Sequence, residues 1–141
     1  MALWFHDAVY DLQAHDNEQR SADLAAAALQ AAGVPDEAVG RVVALILATR
    51  HTGVPATQDE QLLVDIDLGI LGAGPARFAE YERQIREEYA FVPEALFRSA
   101  RRSILQGFLD RPVLYGTAHF RDRLEARARV NLAGVLTGAT G

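Results

Sequence analysis

Apolar residues recur every three or four positions through nearly all of this 141-residue chain, and nowhere do they alternate with polar residues as in a half-buried strand. Glycine and proline interrupt the pattern, for example at Gly33, Pro35 and Gly53. The pattern predicts an all-α fold, a single domain of about six helices. The predicted helices cover residues 21–32, 35–50, 57–71, 77–92, 93–109 and 117–136, with a loop at 51–57 and a frayed tail at 138–141.

Composition excludes several kinds of chemistry. The chain has no cysteine, so it forms no disulfide, thiolate zinc site or thiol nucleophile. All 14 basic residues are arginine, which excludes Schiff-base lysines and a lysine-containing P-loop. The net charge of -5 disfavours a nucleic-acid partner, and the longest apolar run is too short to span a membrane. The N-terminus lacks the features of a signal peptide, so we expect a cytoplasmic protein.

Polar side chains occur where the pattern predicts buried helix faces. In a helix over residues 2–11, His6 and Asp7 would each have apolar neighbours three and four positions away. A buried carboxylate needs a partner, because leaving it without one costs several kcal/mol. The two residues therefore form either a histidine–aspartate hydrogen bond inside a core or part of a binding site.

Two aspartates interrupt the apolar segment near residue 67. Asp67 has only apolar helical neighbours and is the better candidate for a buried ligand, the alternative being a cap or an ion pair with an arginine. Asp65 lies about 200° away around the helix, so both carboxylates cannot easily face one point. We expect Asp65 to support a ligand from outside the site, to lie at its rim, or to be exposed.

His51 ends the preceding predicted helix. One interpretation is a cation at a helix C-terminus, which stabilises the helix dipole. The other interpretation places His51 in one site with His6, Asp7 and Asp67, which together form a mixed set of nitrogen and oxygen ligands. Such a set suits manganese, iron, zinc or nickel, and magnesium where water completes the coordination.

Seven segments follow one another in a fixed order: WFHDAVYD (4–11), NEQRSA (17–22), ILATRH (46–51), VDIDLGILG (64–72), YERQIREEY (81–89), RRSILQGFL (101–109) and EARARVNL (125–132). This series resembles the HD superfamily of metal-dependent phosphohydrolases, and most closely its small bacterial predicted-phosphohydrolase branch. The similarity extends over nearly the whole chain, so it implies one HD-type domain over residues 1–141.

The resemblance implies roles for particular residues. His6, Asp7 and Asp67 would bind a divalent metal ion, and Asp65 would support them without touching it. His51 would lie near the metal and the substrate phosphate, with a catalytic role. Glu18 would orient the attacking water, the alternative being an ordinary acid in the first turn of a helix.

The reaction implied is metal-assisted hydrolysis of a phosphate ester, with a nucleotide or similar small phosphomonoester as the expected substrate. Arg86 and Arg101 lie in family-like motifs and are candidates for binding the substrate phosphate. Their alternative is solvated charge on a helix surface.

One family feature is missing from this sequence. The superfamily's first metal-binding histidine lies on a helix upstream of WFHD, whereas this sequence begins three residues before Trp4. We therefore expect weak or no turnover from this chain. The alternative function is a non-catalytic HD-like domain that binds a metal or nucleotide, or that mediates oligomerisation. In the family that upstream helix covers the helix carrying the histidine–aspartate pair, so its lack here would leave Leu3, Trp4, Phe5 and Tyr10 on an open apolar face. We expect a second copy of the chain to cover this face in a homo-oligomer, the alternative being an open monomer of poor solubility.

Overall fold

The computed structural model describes residues 1–51 and 53–138, and within these ranges the chain contains helices and no strand. The prediction of an all-α fold is confirmed. The predictions for Thr52 and for residues 139–141 lie outside the described residues. In the described part of the chain, no helix combines the length and apolar character needed to cross a membrane. The helices are α1 (Ala2–Phe5), α2 (Asn17–Ala31), α3 (Asp36–Ala48), α4 (Gln58–Asp67), a 3₁₀ helix (Leu68–Gly72), α5 (Pro75–Glu88), α6 (Glu94–Leu109) and α7 (Ala118–Thr137).

The helix boundaries follow local signals in the sequence. Gly33 has φ +74° and follows α2, in the left-handed conformation that commonly terminates helices. Pro35 is the N-cap of α3, and Asp36 and Glu37 stabilise its first turn through the helix dipole. The predicted helix over 57–71 changes at Leu68 into a 3₁₀ helix, so Asp67 is the last α-helical residue of α4.

The helix assumed over residues 2–11 ends at Phe5, because the segment that follows α1 makes other hydrogen bonds. The backbone N–H of Val9 donates to Ser21 Oγ, and the same hydroxyl donates to the Val9 carbonyl. Asp11 Oδ1 accepts from the Gln13 N–H, a local bond that favours a turn over a helix. The segment therefore forms turns that carry His6 and Asp7.

The chain divides into two compact units, Met1–Asp67 and Leu68–Gly141. In the first unit, α1 to α4 surround an apolar core. Its buried members are Ala2, Ala22, Ala25, Leu29, Val39, Val42, Ile46 and Leu63.

The second unit contains the 3₁₀ helix and α5 to α7. Its buried apolar residues include Leu68, Leu71, Phe78, Leu105, Leu114, Tyr115, Ala128 and Leu132. The buried Asn131 amide donates to the carbonyls of Leu71 and Ala73, and so ties α7 to the end of the 3₁₀ helix. These bonds satisfy carbonyls that would otherwise lack partners where that helix ends.

Candidate metal centre

Three side chains of the first unit converge on one point. His6 and Asp7 directly follow α1, and Asp67 ends α4. His6 Nε2 lies 3.2 Å from Asp7 Oδ2 and 3.5 Å from Asp67 Oδ1. One ligand atom from each residue lies within 4.8 Å of the other two. The sequence placed these residues in one group, and the structure brings them together. Their role as metal ligands stays a prediction.

The hydrogen bonding of His6 directs a lone pair into this group. His6 Nδ1 lies 3.1 Å from the carbonyl oxygen of Leu3, which can only accept, so Nδ1 carries the proton. In the neutral imidazole, Nε2 then presents its lone pair to two carboxylates. Three acceptors facing one another repel unless a cation lies between them, and that cation is either a proton on Nε2 or a metal ion.

The solvent exposure of these three side chains distinguishes a histidine–aspartate pair inside a core from a binding site. The side chain of Asp7 is 66% exposed, so a histidine–aspartate pair enclosed in a core does not describe it. His6 and Asp67 are more sheltered, at 18% and 25%. The group thus has two half-buried members and one that faces solvent, an arrangement that a small molecule can reach.

His51 contacts the other oxygen of Asp67. Its Nε2 lies 2.9 Å from Asp67 Oδ2, and because an ionised carboxylate only accepts, Nε2 is the donor. His51 therefore holds its proton on Nε2, whereas His6 holds its proton on Nδ1. Among the described residues, Asp67 has these two histidines as its partners rather than the arginine or cap of the alternative interpretation.

The end of α3 places His51. The buried Thr49 hydroxyl donates to the Ile46 carbonyl at 2.7 Å, and the N–H groups of Arg50 and His51 bond back to Leu47 and Ala48. His51 itself has φ +55°, the left-handed conformation that non-glycine residues seldom adopt. The imidazole is directed at Asp67.

Charge accumulates around Asp7. Partial burial raises the pKa of the Asp7 carboxyl above its ordinary value of 3.8. The nearby imidazoles of His6 and His51 lower this pKa, and the carboxylates of Asp67 and Glu18 raise it further. Glu18 lies in the first turn of α2, as its alternative interpretation requires, yet its charge also acts on Asp7. The converging group thus offers two carboxylates and one imidazole, a donor set that attracts a divalent cation.

Asp65 differs from its expected setting. The sequence placed it among less apolar neighbours than Asp67, but it is the more buried of the two, with 1% of its surface exposed. The expectation of an exposed or rim position is therefore wrong. The sequence of one helix does not show which of its faces the rest of the unit covers. In α4 the buried residues are Leu63, Val64 and Asp65.

Ser21 is a supporting residue that the sequence analysis missed. It is fully buried, and its hydroxyl holds both backbone polar groups of Val9, two residues after Asp7. A signal was present in the sequence. Ser21 stands four residues before Ala25 and eight before Leu29, so it is a polar residue on the buried stripe of α2.

The two candidate phosphate-binding arginines lie in the second unit, where each has a carboxylate partner. Arg86 Nε lies 2.8 Å from Glu94 Oε2, and its guanidinium stacks 4.7 Å above the Phe97 ring. Arg101 is more buried and pairs with Glu82. Neither is simply solvated surface charge. Substrate binding by either residue stays a prediction.

Comparisons of the chain with protein-family models, with curated proteins and with solved structures found no match.

Proposed function

We propose that the first unit binds a divalent metal ion through His6, Asp7 and Asp67, and that the protein uses it to hydrolyse a phosphate ester. The order of motifs that resembles the HD superfamily supports this proposal. A nucleotide or similar small phosphomonoester is the proposed substrate. The cation would be manganese, iron, magnesium, zinc or nickel, since all of these accept mixed imidazole and carboxylate ligands.

One observation carries the proposal: His6 Nδ1 is oriented by the Leu3 carbonyl, so Nε2 faces Asp7 and Asp67. Metal-binding histidines commonly donate their second ring N–H to a carbonyl or carboxylate, which fixes the tautomer. Three protein ligands also leave coordination positions open, as catalytic metal sites require.

When bound, the ion supplies Lewis-acid chemistry, polarising the phosphate ester and promoting the attack of water at neutral pH. The protein's own contribution is the placement of groups around it. Asp67 spans His6 and His51 with its two oxygens and is held in one orientation. Glu18, whose charge acts on Asp7, would accept a proton from water or orient it.

The test measures metal binding and turnover separately. Calorimetric titration of the full chain with Mn²⁺ is expected to show one site, which Asp67→Asn removes. Phosphate release from p-nitrophenyl phosphate and from nucleoside monophosphates is then followed with Mn²⁺ and with a chelator. His15→Asn, at an exposed histidine, is the matched control and is expected to behave as the wild type.

Release of phosphate that persists undiminished in chelator would overturn the proposed mechanism. Equal Mn²⁺ affinity in the wild type and in Asp67→Asn would overturn the site. Binding without detectable turnover of any ester in the panel would favour the non-catalytic metal-binding domain over the hydrolase, since weak or no turnover is expected of this chain.

A second candidate function is a non-catalytic helical module that associates through its N-terminal face. The observation in its favour is exposure: Trp4 is 87% exposed, and Tyr10 and Leu3 are about half exposed. Large apolar side chains exposed in this number near one end of the chain favour an interface. Light scattering across a concentration series tests it. Association should be accompanied by a blue shift of Trp4 emission, and a monomer at high concentration with unchanged emission would contradict it.

A further inference from the structure

We infer that His51 is a positioning residue that acts through Asp67, rather than a ligand of the metal or a group that touches the substrate phosphate. This inference rests on the proposed function, because it assigns a role within the same metal centre. It departs from the role that the family resemblance implies for His51.

The first argument is the position of the His51 proton. Nε2 donates to Asp67 Oδ2 at 2.9 Å, so the lone pair of that nitrogen is not available to a cation beside Asp67. His6 has the opposite arrangement, with Nε2 directed at Asp7 and Asp67. The two imidazoles on one carboxylate therefore differ: one presents a lone pair to the cation position, and the other presents a proton to the carboxylate.

The second argument is the membership of the converging group. His6, Asp7 and Asp67 each offer an atom within 4.8 Å of the others, and the group contains no fourth member in the described part of the chain. His51 Nε2 lies against Oδ2 of Asp67, while Oδ1 faces His6. Holding Oδ2 in a hydrogen bond fixes the carboxylate plane and leaves Oδ1 directed toward the other two ligands.

The third argument is the backbone at His51. Its φ of +55° is unfavourable for a side chain with a Cβ, and it is the only positive φ outside glycine among the described residues. Strained conformations of this kind concentrate at functional sites, where the surrounding structure maintains them. Three consecutive backbone N–H groups, ending with that of His51, donate to carbonyls in the last turn of α3. In this conformation the His51 imidazole contacts Asp67.

Three substitutions of His51 distinguish the effect of its hydrogen bond to Asp67 from the effect of its strained backbone. His51→Ala removes the donor and keeps the strained backbone, and His51→Gly removes the donor and relieves the strain. His51→Gln keeps an N–H donor of similar reach on a strained backbone. His15→Asn again serves as the control for histidines that bind metal adventitiously.

The measurements are Mn²⁺ affinity by calorimetry, the visible spectrum of the Co²⁺-loaded protein, and the unfolding midpoint in chelator. His51→Ala and His51→Gly should both lose about 10- to 100-fold in Mn²⁺ affinity, the usual effect of removing a partner of a metal ligand. His51→Gln should recover most of that loss. In chelator, His51→Gly should unfold at a higher temperature than His51→Ala. The Co²⁺ spectrum should keep its band positions in His51→Gln, since no ligand changes.

Unchanged Mn²⁺ affinity in His51→Gly would overturn the inference and leave the proposed metal centre standing. A change of Co²⁺ band positions in His51→Gln would also overturn it, because that result makes His51 a direct ligand. Absence of Mn²⁺ binding by the wild type would overturn the proposed function together with the inference.

Discussion

The hydroxyl of Ser21 satisfies both backbone polar groups of Val9: it accepts from the N–H at 3.0 Å and donates to the carbonyl at 3.3 Å. A buried side chain of α2 thereby replaces the helical bonds that Val9 would otherwise make. The segment that carries His6 and Asp7 is fixed to the first unit at this point.

Ser21→Ala should therefore weaken both the fold and the metal centre. Two backbone groups of Val9 lose their partner, which should lower the free energy of unfolding by about 1–3 kcal/mol. Mn²⁺ affinity should fall as well, because Asp7 lies two residues before Val9. Chemical denaturation and calorimetry measure the two effects. Ser103→Ala, on the exposed part of α6, is the matched control and should change neither.

The pKa of Asp7 predicts opposite pH dependences with and without metal. Burial raises this pKa above 3.8, so the stability that Asp7 contributes is present below that value and is lost as the pH rises through the folded pKa. In chelator, Asp7→Asn should thus gain stability relative to the wild type as the pH rises above about 4. With Mn²⁺ the order should reverse, because ligation requires the ionised carboxylate.

Thermal unfolding of both proteins across this pH range tests the prediction. Parallel curves for the wild type and Asp7→Asn in chelator would show that the carboxyl is not perturbed. Parallel curves in Mn²⁺ would show that Asp7 is not a ligand.

Gly72 is required by close packing in the second unit. A Cβ at this position would lie 2.6 Å from Leu124 Cβ and 3.1 Å from the Tyr115 hydroxyl oxygen. Gly72→Ala should therefore destabilise the protein by roughly 1–3 kcal/mol through overpacking. Gly69→Ala is the matched control in the same 3₁₀ helix, since its Cβ would meet only Phe120 at 3.9 Å. Denaturant midpoints would contradict this reasoning if the two variants proved equally stable.

Much of the fold could be predicted from the sequence because glycine and proline act locally. Pro35 and Pro93 mark the starts of α3 and α6. Gly33 predicts that α2 ends at residue 32, and the helix ends at Ala31. The N-terminal helix could not be bounded in this way. Its end depends on Ser21, which is twelve residues distant from Val9 and competes for the same backbone groups.

The candidate site could be predicted in part. The resemblance in motif order named His6, Asp7 and Asp67 together, and the structure brings them together, although the apolar helix face assumed for His6 and Asp7 ends with α1 at Phe5. The relative burial of Asp65 and Asp67 could not be obtained, because it depends on which face of α4 the core covers. The tautomers of His6 and His51 depend on the Leu3 carbonyl and on Asp67, and they too required the folded chain.

The exposure of Trp4 has a practical consequence for experiments on this protein. It is the only tryptophan, it stands two residues before His6, and its indole is surrounded largely by solvent. Its emission is therefore a built-in optical reporter placed beside the candidate metal centre. Paramagnetic Mn²⁺ or Co²⁺ held there would quench the fluorescence, so ion occupancy can be followed at low protein concentration without any attached dye.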